Sequence, residues 1–305
     1  MRDGGFEIVS RRRGRKVAPT TRVPSSAAAS PPNFRYRTSA TTAASDAEVS
    51  AARQQLDGWV DAAVAELRSS AFVTGLLQIL RAEEPFGSFL CLGVGHFGSE
   101  RAARHQLALA LILSEELRGM GNLADGEGTL EVFDPVLDSV ELDLLRRRGC
   151  RVRSVNDEGR IPVNSHCLCY LPHCTRQLYS NLLEANWGAE RLSRLAVLGN
   201  SFAAFADASG TGGVAPWCRV SRVAPLFNER SCDALLGGTR DFGHAFSNTC
   251  LHTIDASAVP PLDSPLWTRP FARPTSADFV EPLISSHLIS SHPLVHDKSH
   301  DDSDG

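Results

Sequence analysis

Residues 89–98 read FLCLGVGHFG, and the reading of this stretch decides the fold. An apolar run of strand length enters Gly93, Gly95 and Gly98, and a helical pattern opens at Ser99. The order is strand, glycine turn, helix. Glycines let the backbone turn tightly and let a ligand come close, while the free N–H groups and positive dipole end of the following helix attract an anion. The spacing is a literal G-x-G-x-x-G in that context, so the pattern comes with a mechanism.

Downstream of the turn, strands and helices alternate. Ser99 is placed to cap a helix reaching about Arg118, with Ala103, Leu107, Ala110, Leu111, Ser114 and Leu117 as its sheet-facing stripe. A polar, glycine-rich surface loop over 119–128 leads to a strand at 130–133 that ends at Asp134 and Pro135. A helix over 138–148 stops at Gly149, and a third strand over 150–155 runs into the acidic turn Asn156, Asp157, Glu158, Gly159. A fourth strand spans 166–171, a helix spans 175–187, and a fifth strand over 195–198 runs into Gly199, Asn200 and Ser201. Upstream, Val49, Ala52, Leu56, Trp59, Val60, Ala63, Val64 and Leu67 recur at threes and fours and predict an amphipathic helix over 48–70. A second helix over 71–82 is broken by Pro85 and Gly87, and both are expected to pack onto the sheet.

This alternation predicts an α/β fold: a Rossmann-like three-layer domain over 48–254 with a mainly parallel sheet and helices on both faces. Right-handed crossovers put the carboxyl ends of the strands on one edge, where ligands of such sheets bind. The candidate contacts there are Gly93, Gly95, Phe97, Gly98 and Ser99 in the turn, with Asp134, Glu158, His173, Cys174, Asn200 and Ser201. For a nucleotide or S-adenosyl ligand, Asp134 is placed to accept a ribose hydroxyl. The competing reading is that the glycines serve only a tight turn and helix packing.

Composition bounds the function classes. The chain has 305 residues, a formal net charge of -4 and a pI near 6.2, which gives no electrostatic reason to expect nucleic acid or an anionic membrane as a partner. No apolar run approaches the ~20 residues that span a bilayer, and no secretory signal is visible, so cytosol or nucleus is expected. The 8 cysteines are spread widely and several sit in apolar runs, as reduced, buried thiols do. Residues 1–47 and 255–305 are expected to be disordered tails. In the first, Arg11, Arg12, Arg13, Arg15 and Lys16 form a basic cluster that reads either as a solvated tail or as a nuclear-import or phosphate-binding patch. Residues 246–254 offer one further element.

Other constellations have bland and sharp readings. Strand alternation puts Cys167 and Cys169 on one face, unlike a paired C-x-x-C zinc site, and structural thiols are expected. His173 and Cys174 follow Pro172 at the ligand-bearing edge, where a polar contact, a haem or metal ligand, or a nucleophile are all open. Asp157, Glu158 and His252 are possible acids or bases, against a reading of the first two as a solvated turn. Asn186 and Trp187 read as a cap and a packing residue.

Taken together, several motifs resemble the Sensitivity to Red Light Reduced family in order and spacing. They are Gly93-x-Gly95-x-Phe97, Ala103-Arg104-x-Gln106-Leu107, Asp134-Pro135, Asp157-Glu158-Gly159, Pro172-His173-Cys174, Leu178-Tyr179-x-Asn181-Leu182-Leu183, Asn186-Trp187 and Gly199-Asn200-Ser201-Phe202. Phe246-x-Asn248-Thr249-x-x-His252 is similar to the family's closing motif, with Ser247 where the family has Asp. The resemblance implies a Rossmann-like domain in a regulatory protein of cytoplasm and nucleus. It implies association with red-light signalling and circadian input in plants, and with haem biosynthesis and clock-gene expression in animals. The family supplies no settled reaction, so no catalytic residue is carried over, and haem or a nucleotide-type ligand is left open. Protein partners are expected without being identified. A transferase-like enzyme using an adenine-containing cofactor and a scaffold that binds nothing are the alternatives.

Overall fold

The computed structural model describes residues 45–124, 130–207, 218–237 and 242–268. The basic cluster and most of the two expected tails lie outside the described residues. In chain order the elements are α1 (Asp46–Arg68), α2 (Ala71–Arg81), β1 (Ser88–Leu92), α3 (Arg101–Gly119), β2 (Leu130–Phe133), α4 (Ser139–Arg147) and β3 (Arg151–Val152). They continue as β4 (Cys167–Leu171), α5 (Arg176–Ala185), α6 (Ala189–Leu192), β5 (Leu195–Asn200), α7 (Phe202–Asp207), α8 (Arg219–Val223), β6 (Asn228–Ser231), α9 (Gly243–Phe246), β7 (Thr249–Thr253) and α10 (Pro265–Thr268).

Local chemistry starts the leading helices. Ser45 accepts from the Glu48 N–H while the Glu48 carboxylate accepts from the Ser45 N–H, a reciprocal cap that satisfies two orphan donors. Leu56, Val60, Ala63 and Leu67 are the buried stripe of α1. Ser70 caps α2, whose Phe72, Leu76 and Leu80 are buried. Both helices were expected on the sheet itself. They share one core with Phe89, Cys91 and Leu168 of the sheet, and α1 also rests on α3 and α4, α2 on α3 and on the single turn at residues 233–236.

The sheet order is β3-β2-β1-β4-β5-β7-β6. The first five strands are mutually parallel, with Cys91 of β1 opposite both Val132 of β2 and Tyr170 of β4. Strands buried on both faces need apolar side chains in both directions, and β4 and β5 supply them. Cys91, Val132, Leu168, Tyr170 and Leu198 point into the core under α1 to α4. Leu90, Leu92, Cys167, Cys169 and Val197 point into the core under α5, α7 and α8.

Chain direction along the sheet reverses between β1 and β4: β2 and β3 add on one side, and β4 and β5 on the other. This is the switch point at which open α/β sheets bind ligands. Two features depart from expectation. β7 is antiparallel to β5 and to β6, so it brings its amino end to the edge that was expected to carry only strand carboxyl ends. β3 has shrunk to Arg151–Val152. The chain is also described past Ile254 as far as Thr268, where Trp267 lies edge-on to Trp187 with ring centroids 5.7 Å apart.

Candidate functional site

The glycine turn begins where β1 ends. Gly93 has φ 70 and Gly95 φ 75, backbone conformations that L side chains rarely adopt. A methyl group on Gly93 would also run into the Cys174 sulfur. The turn is therefore as expected, but the N–H groups of its three glycines are already in use. Gly95 N–H donates to Asp134 Oδ2 at 2.8 Å, and Gly98 N–H donates to Glu141 Oε1 at 2.7 Å. Asp134 Oδ1 accepts from Val136 N–H at 3.0 Å; Glu141 Oε2 accepts from Asp138 N–H at 2.9 Å and faces His96 Nδ1 at 3.1 Å. Both carboxylates are buried. The place where an anion would sit holds two of the chain's own.

Three expectations at the turn change with this. Asp134 was expected to wait for a ribose hydroxyl, but each of its oxygens holds a backbone N–H and ties the ends of β1 and β2 together. Ser99 does not cap α3: the capping position is Glu100, and the Ser99 hydroxyl reaches back to the His96 carbonyl at 3.5 Å. Phe97 is fully buried in the core, and its carbonyl accepts from Arg104 Nε at 2.9 Å.

A second cluster lies across β4, where β5 enters α7. Ser201 Oγ donates to Glu229 Oε1 at 2.5 Å, while Glu229 Oε2 accepts from the N–H groups of Phe202 and Ala203 at 2.9 and 3.0 Å. Burial works against the charge on Glu229, yet the Ser201 hydroxyl, the Ala203 N–H and His252 outweigh it and lower its pKa. His252 is fully buried and stacked on Phe202 at 3.8 Å. Its Nε2 lies 3.0 Å from the Asn200 carbonyl, a donor's position, and its Nδ1 has no hydrogen-bond partner, 3.7 Å from Glu229. Burial pushes its pKa down to about 4 against the pull of Glu229. The Tyr179 hydroxyl completes the cluster, donating to the Leu171 carbonyl at 2.6 Å and accepting from the Asn200 N–H at 2.7 Å. Asn200 and Ser201, expected as ligand contacts, are thus held by internal partners.

Beside the glycine turn, between the ends of β1, β2 and β4, a cleft of about 410 Å³ stays open. Its floor is apolar, from Leu92, Phe133, Pro135 and Leu178. Its rim is polar and comes from Asn156, Glu158, Arg160, Thr175, Gln177 and Asn181, with Gly93 and Gly159 as bare backbone. The rim is ordered by its own hydrogen bonds: Glu158 N–H to Asn156 Oδ1, Asn181 Nδ2 to the Glu158 carbonyl, and Gln177 Nε2 to Asn181 Oδ1. Gln177 Oε1 is buried without a partner, an acceptor still waiting for a donor. Two other cavities, of about 290 and 280 Å³, lie away from the strands' carboxyl ends and are lined by arginines such as Arg151 and Arg148 that pair with Glu131 and Asp57.

Of the expected contacts, Gly93 and Glu158 line this cleft, and Cys174 sits behind Gly93 with its sulfur 3.3 Å from the Leu92 carbonyl. Burial, and then Asp134, push the Cys174 thiol far up in pKa, which suppresses the thiolate a nucleophile requires. His173 has φ 50, is exposed and is not among the residues that line the cleft. Cys167 and Cys169 share a face, buried, with their sulfurs 3.5 Å apart. Among the described residues, no three metal-ligating side chains converge. The sequence reasoning missed Glu141, Glu229 and Gln177. Of these only Glu141 had a signal, since Asp138-x-x-Glu141 is a capping box.

The SRR1 domain profile matches residues 65–253. The chain is 35% identical over 170 residues to Protein SENSITIVITY TO RED LIGHT REDUCED 1 of Arabidopsis thaliana, covering 52% of this chain and 60% of that protein. It is 38% identical over 114 residues to an SRR1-like protein of Mus musculus, covering 37% and 43%. An SRR1-like protein of Drosophila melanogaster is 26% identical over 193 residues, covering 63% and 64%. In each case the chain spans less than two thirds of the relative's length. No solved structure matches the chain significantly.

Proposed function

Because the chain belongs to the SRR1 domain family, we propose that it is a regulatory protein that reads a small organic ligand in the cleft beside the glycine turn. We place its action in the control of haem biosynthesis and clock-gene expression, in cytoplasm and nucleus, through protein partners. The observation that carries this reading is the contrast at the carboxyl edge of the sheet. The turns into α3 and α7 are filled by Asp134, Glu141 and Glu229, while the cleft beside the first of them is open, apolar at its floor and polar at its rim.

The haem connection proposed here is control of its synthesis rather than ligation of its iron. The cleft wall carries no His or Cys for an axial bond, and Cys174 Sγ packs against the Leu92 carbonyl. A transferase-like enzyme at the same cleft is the second reading, favoured by the position of the cleft at the switch point, where adenine cofactors bind in sheets of this kind.

Cells lacking the chain test the proposal. Wild-type protein and Gln177→Trp, which projects bulk into the cleft from the first turn of α5, are reintroduced at equal abundance, and haem content and the amplitude of clock transcripts are measured. Wild type is expected to restore both and Gln177→Trp neither. Full rescue by Gln177→Trp would remove the cleft from the function, and no effect of the wild type on either readout would end the regulatory reading.

A further inference from the structure

We propose that the cleft binds a phosphate-free adenosyl ligand carrying a positive centre, of the S-adenosylmethionine class. This rests on the reading of the cleft as the ligand site and names its occupant.

The charges at the turn decide between adenine ligands. A dinucleotide or a nucleoside triphosphate uses the turn's N–H groups to hold its phosphates. Here Gly95 and Gly98 already donate to Asp134 and Glu141, so a pyrophosphate at the turn would meet two carboxylates. Asp134, which lies between the cleft-lining Phe133 and Pro135, favours a sulfonium or an ammonium group over a phosphate there. Phosphates are rejected and a cationic centre is attracted.

The cleft suits the rest of such a molecule. Phe133 and Pro135 from the end of β2, with Leu92 and Leu178, offer an apolar slot for a flat base. Gln177 Oε1, buried and without a partner, is an acceptor suited to an exocyclic amine or a ribose hydroxyl. The volume of about 410 Å³ lies in the range of small-ligand sites. The strand order points the same way. It departs from the doubly wound order 3-2-1-4-5-6 by the insertion of antiparallel β7 between β5 and β6. That is the sheet on which many S-adenosylmethionine-dependent transferases are built, a fold-level analogy that alone assigns no ligand.

Isothermal titration of the full chain with S-adenosylmethionine, S-adenosylhomocysteine, ATP and NAD tests the inference. S-adenosylmethionine is expected to bind at least tenfold more tightly than ATP or NAD. Gln177→Ala should weaken it severalfold while the protein still unfolds in one cooperative transition, and Asp134→Asn should narrow the preference for the charged sulfonium over its neutral homologue. Gln177→Ala keeps the test open if Asp134→Asn fails to fold. Binding of ATP or NAD as tight as that of S-adenosylmethionine, or no binding of the latter, would overturn the inference. If S-adenosylmethionine fails to bind while Gln177→Trp still abolishes cellular rescue, the ligand class is wrong and the cleft reading survives. If it binds and Gln177→Trp still rescues, the ligand class survives and the cleft's part in the function falls.

Discussion

Gly95 and Asp134 stand 39 positions apart in the chain, and the N–H of one donates to the carboxylate of the other at 2.8 Å. The bond joins the first turn of the sheet to the end of the neighbouring strand, and it converts an apparent ligand residue into a structural one. Asp134→Ala leaves the N–H groups of Gly95 and Val136 without their acceptor. It is expected to cost about 1–3 kcal/mol, read as a lower urea midpoint. Glu141→Ala should cost at least as much, because it strips Gly98 and the Asp138 cap together.

Gly93 offers a test of close packing. Alanine there carries the strain of φ 70, roughly 1–2 kcal/mol, and a clash with the Cys174 sulfur. Cys174→Ala should remove the clash and leave the strain. A double-mutant cycle is then expected to show favourable coupling of about 0.5–3 kcal/mol between the two substitutions. Strict additivity would mean that the sulfur does not confine the turn.

Two buried tyrosines should respond oppositely to loss of the hydroxyl. Tyr179 bonds Leu171 and Asn200, so Tyr179→Phe is expected to destabilise by about 1–3 kcal/mol. The Tyr170 hydroxyl is buried without a partner, so Tyr170→Phe should be neutral or stabilising. Thermal melts of both variants side by side decide it.

His252 makes stability depend on acid. Its folded pKa is lowered from 6.5 to about 4, so between those values the unfolded chain binds a proton that the folded chain refuses. The contribution is complete above about pH 6.5 and is lost as pH falls toward 4, up to about 3 kcal/mol. His252→Gln is expected to flatten that part of a stability-against-pH curve. An unchanged slope would place the acid sensitivity elsewhere.

The turn, the leading helices and the parallel half of the sheet were legible because each carries a local signal. Gly93 and Gly95 mark a turn, Ser45 and Asp138 mark helix starts, and β4 and β5 are continuous apolar runs. The β6–β7 pair was not legible as a unit. Asn228–Ser231 reads NERS, mostly exposed at the sheet's edge, with no alternation to give it away. The carboxylates of the site were hidden for another reason. Glu229 meets Phe202 across 27 residues and Glu141 meets Gly98 across 43, and backbone partners at such distances leave no trace in residue type. Gln177 was invisible because an unpaired acceptor exists only once the helix is docked.

Asp134 and Glu141 hold the glycine turn, and Glu229 the start of α7, before any ligand arrives. A protein that borrows those charges from a bound phosphate folds more completely when the metabolite is plentiful, so its copy number drifts with supply. This domain is built to be whole when empty. Its amount and its occupancy become separate variables, and a cell can set the first by synthesis while the second reports on chemistry.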